Sequence, residues 1–219
     1  MLDLVLPTIC GGCDAPSTRW CAACAGQLAV GPDQPRLVSP RVDPQVPVFA
    51  LGRYAGARRR ALVAVKEHGR ADLITPLSAA LGAAVQRLLG WGLLDAPLTI
   101  VPAPTRRSAA RRRGGDPVAR IAVAAVAGQP GIVVAPVLRM RALTRDSVGL
   151  GSAARERNVA GRVLLRRNRL GRRPSGGEFP GDVLLVDDIV TTGATMAESV
   201  RVLRSGGVRV AAVLVIAAA

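Results

Sequence analysis

Val183-Leu184-Leu185-Val186-Asp187-Asp188-Ile189-Val190-Thr191-Thr192-Gly193-Ala194-Thr195 is the stretch on which the reading of this chain turns. Four consecutive apolar residues are the pattern of a strand buried on both faces of a parallel sheet. The spacing predicts that the strand stops at Val186, where the apolar run meets two adjacent carboxylates. Side-by-side carboxylates repel each other and lose hydration, a poor arrangement for stability alone. It makes sense if they accept hydrogen bonds from a polyhydroxyl ligand or face a metal ion, and ligands bind at the C-terminal ends of parallel strands. In Thr191–Thr195, small hydroxyl residues and a glycine let backbone N–H groups turn inward around an anion. Thr195-Met196-Ala197-Glu198 fits a capping box, so a helix is expected to begin there with its positive end toward a phosphate. Carboxylates for ribose hydroxyls, then an N–H cradle for a 5′-phosphate, together describe a ribose 5-phosphate site.

Outward from this stretch the chain alternates apolar runs with helical patterns. Strands are expected over Val48–Tyr54, Leu98–Val101, Ile132–Val137, Val163–Leu165 and Val208–Ile216. Helices are expected over Gly56–Glu67, Leu73–Leu94, Pro117–Ala127 and Thr195–Arg204, with Pro117 suited to a first helical position. Arg139–Arg155 and Arg166–Gly181 read as loops. Alternation of this kind implies a mostly parallel α/β sheet flanked by helices. The expected organisation is a cysteine-bearing knuckle at 1–30, a Pro-rich linker or extended connection at 31–47, and the α/β domain at 48–219.

The 219 residues suit one such domain with a small appendage. An apolar fraction of 49% with only 2% aromatics means a core of Val, Leu, Ile and Ala. No basic, apolar leader opens the chain, and the apolar tail Val208–Ala219 is too short to span a bilayer. A cytoplasmic protein without membrane insertion is the expectation, with a homo-oligomer left open. The net charge of +15 is consistent with an arginine-rich proteome or with a phosphate-rich partner.

All four cysteines fall in the first 24 residues, as Cys10, Cys13, Cys21 and Cys24 in a C-x2-C-x7-C-x2-C pattern. Two C-x2-C pairs are the arrangement that wraps a tetrahedral Zn²⁺. The other uses are two disulfides or free thiols, and a reducing compartment argues against disulfides. With four protein ligands the ion would be structural and closed to chemistry.

The 183–195 stretch resembles the phosphoribosyl pyrophosphate (PRPP) motif of type I phosphoribosyltransferases: apolar strand, two acidic residues, two apolar residues, then Thr-Gly and a small-residue turn. The resemblance implies that Asp187 and Asp188 contact the ribose 2′- and 3′-hydroxyls, and that Thr191, Thr192, Gly193, Ala194 and Thr195 hold the 5′-phosphate. Some purine-using members carry an aspartate base at the position of Thr191. Across nearly the whole chain, the order of features is similar to the ComF family, associated with competence and DNA uptake in bacteria. Those features are the four cysteines, Tyr54 before a basic helix, Lys66 and Gly69, Val101-Pro102-Ala103-Pro104 before an arginine-rich loop, and Arg155-Glu156-Arg157-Asn158. Where family members have an aromatic and an Asn after Arg-Gly, this chain has Gly115 and Asp116.

The resemblance implies a phosphoribosyltransferase-like fold and places Lys66 on the pyrophosphate side of PRPP. As an enzyme, the protein would use Asp187, Asp188 and Lys66 catalytically, with Mg²⁺ accompanying PRPP, and release pyrophosphate. As a DNA-handling protein, it would bind single-stranded DNA through Arg58–Arg60, the 106–113 loop and Arg166–Arg173 without turnover. His68, the sole histidine, reads as a loop residue near Lys66. Gly149-Leu150-Gly151-Ser152-Ala153-Ala154 follows no apolar strand and is no dinucleotide site.

Overall fold

The computed structural model describes residues 8–105, 115–141, 161–166, 177 and 179–219. Within them lies a six-stranded sheet. Its strands are β1 (Arg36–Leu37), β2 (Val48–Ala50), β3 (Leu98–Pro102), β4 (Ile132–Val134), β7 (Asp182–Val190) and β8 (Val210–Ala218), in the spatial order β1-β2-β8-β7-β3-β4. All neighbours are parallel except the edge pair β1–β2. A separate antiparallel hairpin joins β5 (Leu138–Met140) to β6 (Val163–Leu165).

The continuous apolar runs of β7 and β8 serve two cores. On one face, Leu184 and Val186 with Leu214 and Ile216 pack against α2 (Gly56–Glu67), α3 (Ile74–Gly90) and α4 (Pro117–Ala125). On the other, Val183 and Leu185 with Val213 and Val215 meet α5 (Ala194–Ser205) and the β5–β6 hairpin. Successive side chains of a strand point to opposite faces, so a run apolar at every position fills both. The α/β architecture with a mostly parallel sheet is as expected.

Three details differ from expectation. β7 does not stop at Val186 but runs on to Val190, because β8 continues to pair with it through Val190–Ala218. Arg139 and Met140, at the start of a stretch expected to be a loop, belong to the strand Leu138–Met140; three residues are too few to show a period. The segment 31–47 is extended as expected, but it also carries β1, and its Val38 and Val46 pack on the second core. Asp116 caps α4, its Oδ1 accepting from the N–H groups of Val118 and Ala119, with Pro117 at the first helical position.

The 3₁₀ turn Ala71–Leu73 and α3 together form a helix long and apolar enough, by length and composition, to cross a membrane. Half of that window is buried inside the molecule, where Leu77, Leu81, Val85 and Leu88 are core.

The chain strand order reverses between β3 and β7: β3 leads through α4 to β4 on one side, β7 through α5 to β8 on the other. At such a reversal the connections diverge and leave a crevice at the C-terminal strand ends. α4 is held in place by close approach to α3 at Gly82, where a Cβ would come 2.6 Å from the Ala125 carbonyl oxygen. Gly82→Ala gains about 1 kcal/mol of helix propensity. A backbone clash in a packed helix pair costs about 1–3 kcal/mol. Gly82→Ala is therefore expected to lower the Tm, measured by circular dichroism; a higher Tm would show that the helices are not in such close contact.

Candidate functional site

The crevice is made by a mismatch in strand length. β3 pairs with β7 only as far as Pro102–Val186, and Ala103 N–H donates the last bond, to the Val186 carbonyl, at 2.7 Å. The next N–H on the β7-facing side, that of Thr105, donates to Asp116 Oδ2 at 3.4 Å instead, so the ladder does not continue. Asp187–Val190 therefore project beyond β3, paired on the β8 side alone.

Alternation along the strand splits the carboxylates. Asp188 shares the face of Leu184 and Val186, toward α2, and Asp187 the face toward α5. Asp188 is buried, with a side chain 8% exposed, and its Oδ2 lies 2.7 Å from Lys66 Nζ in the last turn of α2. Asp187 is half-buried, and its Oδ1 accepts from the Asp188 N–H at 2.8 Å. Burial first, then the neighbouring charge of Asp188, pushes the Asp187 carboxyl well above the usual carboxylate range; Lys66 opposes this in part. Lys66, which the resemblance assigned to pyrophosphate, here pairs with Asp188.

Beyond the strand, Asp187 and residues 189–196 line a small cavity of about 30 Å³. Gly193 has φ +90°, and a Cβ there would meet the Val42 carbonyl oxygen at 2.5 Å. Val42 N–H donates to the Thr192 carbonyl at 2.8 Å, so the Pro-rich segment braces the loop from outside. Sequence reasoning missed this support, because prolines in a row signal only an extended chain.

The capping box does not form. The helix begins at Ala194 and its N-cap is Gly193; Thr192 Oγ1 accepts from the Ala194 N–H at 3.3 Å. Glu198 accepts instead from Gly161 N–H at 2.8 Å and from both ends of the Arg201 guanidinium. Arg201 is the stronger partner, and with the Gly161 bond it holds the Glu198 carboxyl below its usual range against the effect of burial. The first turn of this helix, through Ala194, Thr195 and Met196, lines the cavity with the positive end of the helix dipole behind it.

Near the mouth, Thr105 Oγ1 donates to Asp116 Oδ2 at 2.8 Å and joins the ends of the 106–114 segment. The arginines of 106–113, the Gly149–Ala154 stretch, Arg155–Asn158 and most of Arg166–Arg173 lie outside the described residues. His68 ends α2 as its exposed C-cap.

The second site is the cysteine cluster. The four sulfurs all lie within 4.8 Å of one another, and Cys13 and Cys21 are 3.6 Å apart. A tetrahedron with 2.3 Å metal–sulfur bonds has edges of about 3.8 Å, whereas a disulfide needs about 2.05 Å. Burial raises the Cys10 thiol, but N–H groups of Cys21, Gly12 and Cys13 outweigh it and hold the pKa at about 6. Burial and the adjacent thiols of Cys21, Cys13 and Cys10 push Cys24 far up. Four crowded sulfurs cannot all ionise unless a cation offsets their charge, so the cluster is suited to hold a metal such as zinc.

The knuckle is docked on α2. Its short helix α1 (Ala22–Leu28) presents Gln27 to Ala57 N–H and to the Arg58 guanidinium. Arg60 donates to the Gly12 carbonyl and Arg70 to that of Ile9. Arg58, counted as a DNA contact from the sequence, is only 8% exposed, because the knuckle covers it.

The carboxylate pair does not fit a divalent cation. One carboxylate is neutralised by an ammonium and buried, and the other disfavours its charge, whereas Mg²⁺ asks for ionised oxygen ligands and keeps several waters.

Compared with known proteins, the chain matches no family model and no curated protein.

A carboxyl whose pKa is raised by folding contributes stability below its unfolded pKa and loses it as pH rises through the folded value. Asp187→Asn keeps the acceptor for Asp188 N–H but cannot ionise. Its Tm is expected to exceed that of the unsubstituted protein at pH 8, with the gap closing toward pH 4. Melting curves across that range check it; a constant gap would mean that Asp187 does not titrate with folding.

Proposed function

We propose that this protein binds PRPP, or a closely related ribose 5-phosphate, as a phosphoribosyltransferase-like protein of the ComF type. The observation that carries this reading is the pairing of two acidic residues with a helix start that lines a small cavity, at the point where the strand order reverses. Asp187 and Asp188 would accept from the ribose 2′- and 3′-hydroxyls, and the N–H groups of 191–195 would surround the 5′-phosphate. The anomeric carbon of a sugar bound there would face the mouth bounded by Thr105 and Asp116, leaving room for a pyrophosphate. Thr191 offers no carboxylate base, so transfer to an acceptor would need its proton handled by the acceptor or by another residue. Phosphoribosyl transfer with release of pyrophosphate would follow from such binding.

The single-stranded DNA reading loses part of its support. Arg58 is covered, Arg60 is bonded to the knuckle, and Arg59 lies over the Tyr54 ring with its guanidinium carbon 5.8 Å from the centroid.

For the knuckle we propose a structural Zn²⁺ held by Cys10, Cys13, Cys21 and Cys24. The purified protein is expected to carry one zinc per chain by atomic absorption, and Cys24→Ser to lose it. Because α2 rests on the knuckle, stripping the metal should lower the Tm of the whole protein. A chain free of metal and equally stable would remove zinc from the account.

Calorimetric titration of PRPP tests the main reading. Saturable binding is expected, with a loss of about tenfold or more in affinity (roughly 1.4 kcal/mol per tenfold) for Asp187→Ala/Asp188→Ala. Gly193→Val, which must displace the loop from Val42, should weaken binding comparably while leaving the carboxylates in place. An intact protein that takes up no PRPP would overturn the proposal.

A further inference from the structure

We propose that the Lys66 ammonium is the resident cation of this site, so that the carboxylate pair receives a ribose 5-phosphate without a divalent metal ion. The inference rests on the ribose 5-phosphate reading and deepens it.

The geometry supports it in three ways. First, the place beside Asp188 where a metal would sit is taken: Lys66 Nζ is 2.7 Å from Oδ2, and the Asp188 side chain is 8% exposed. A cation arriving from solvent would have to displace a charge already delivered from inside the fold. Second, the cluster has little charge to offer. Two carboxylates and one ammonium leave at most a single negative charge, and Asp187 already gives one oxygen to the Asp188 N–H. Mg²⁺ dehydrates reluctantly and is held by ionised carboxylates together with substrate phosphates. A ribose 5-phosphate brings its only phosphate to the 191–195 loop, away from the carboxylates. Third, Lys66 is the only lysine among thirty basic residues. A guanidinium is a broad planar fork, whereas an ammonium is a compact point charge, nearer in shape to a metal ion. Its position is also fixed: α2 is tied to the knuckle by Arg60 before Lys66 and by Arg70 after it.

The test is calorimetry with ribose 5-phosphate itself, which has no pyrophosphate to chelate metal. Buffers are cleared of divalent ions by resin, because a soluble chelator would attack the cysteine cluster, and zinc content is measured afterwards. Titrations with and without millimolar Mg²⁺ are run at matched ionic strength. The unsubstituted protein is expected to bind with affinities equal within about twofold. Lys66→Met leaves Asp188 without its cation. Its metal-free affinity should fall about tenfold or more and be restored in part by Mg²⁺. Lys66→Arg, which keeps the charge, should remain indifferent to Mg²⁺, and melting curves of both variants separate misfolding from loss of the cation. Affinity of the unsubstituted protein rising tenfold with Mg²⁺ would overturn the inference while leaving the ribose 5-phosphate reading in place. Lys66→Met binding as tightly as the unsubstituted protein without metal would also overturn it. Absence of binding under both conditions would overturn the inference, while the PRPP titration decides the reading itself.

Discussion

The point where β3 leaves β7 decides where the sheet opens. A parallel ladder continues only while the N–H groups facing the partner strand find its carbonyls; Ala103 N–H reaches Val186, but the next on that side, Thr105 N–H, is taken by Asp116 Oδ2. β3 therefore ends level with Val186, while β7 goes on for four residues with support from β8 alone. An unpartnered strand edge in a protein interior would be costly, because its polar groups would find no hydrogen bonds. It is tolerable here because it opens into a crevice, and the first residues along it are acidic. Strand length, crevice and carboxylates thus have one origin, and the loop and helix that follow inherit their position from it.

The ion pair between Lys66 and Asp188 joins that edge to the rest of the molecule. Buried ion pairs are weak sources of net stability, because desolvation consumes most of the attraction, while loss of one partner is severe. Their effect is geometric. This pair fixes the end of α2 over the end of β7, and α2 in turn carries the knuckle through Arg58, Arg60 and the backbone of Ala57. A cluster of cysteines in the first 24 residues is in this way mechanically continuous with residues more than 160 positions later. The appended knuckle and the sheet are better regarded as one framework around α2.

The parts of the fold legible in the sequence were those in which local pattern and tertiary role coincide. Val183–Val186 reads as a buried strand because it is one, and Pro117 reads as a helix start because Asp116 caps it. The cysteines were legible because their spacing is itself the geometry. What escaped is what local pattern cannot hold. The end of β7 was placed at Val186 because charge usually stops a strand, yet β8 overrides it. The capping box at Thr195–Glu198 was locally plausible, but Glu198 finds a bidentate partner in Arg201 and an N–H of Gly161, and these distant bonds win over the local one. The bracing of the 191–193 loop by Val42 connects residues 150 positions apart, and nothing in either segment announces the other.

Net charge is the last case, and it bears on function. A charge of +15 suggests a surface made for phosphates, but several arginines are occupied within the fold. Arg58 is buried with a guanidinium whose pKa is lowered by desolvation, Arg70 grips Asp72 and two knuckle carbonyls, and Arg201 closes on Glu198. In these places arginine acts as a multi-donor clamp, for which its planar fork of N–H groups is well suited. A chain with a small apolar repertoire and almost no aromatics gains rigidity from such clamps where another protein would use a ring. Arginine count is therefore a poor measure of affinity for nucleic acid here, and the position of single charges, Lys66 above all, says more about the ligand than their sum does.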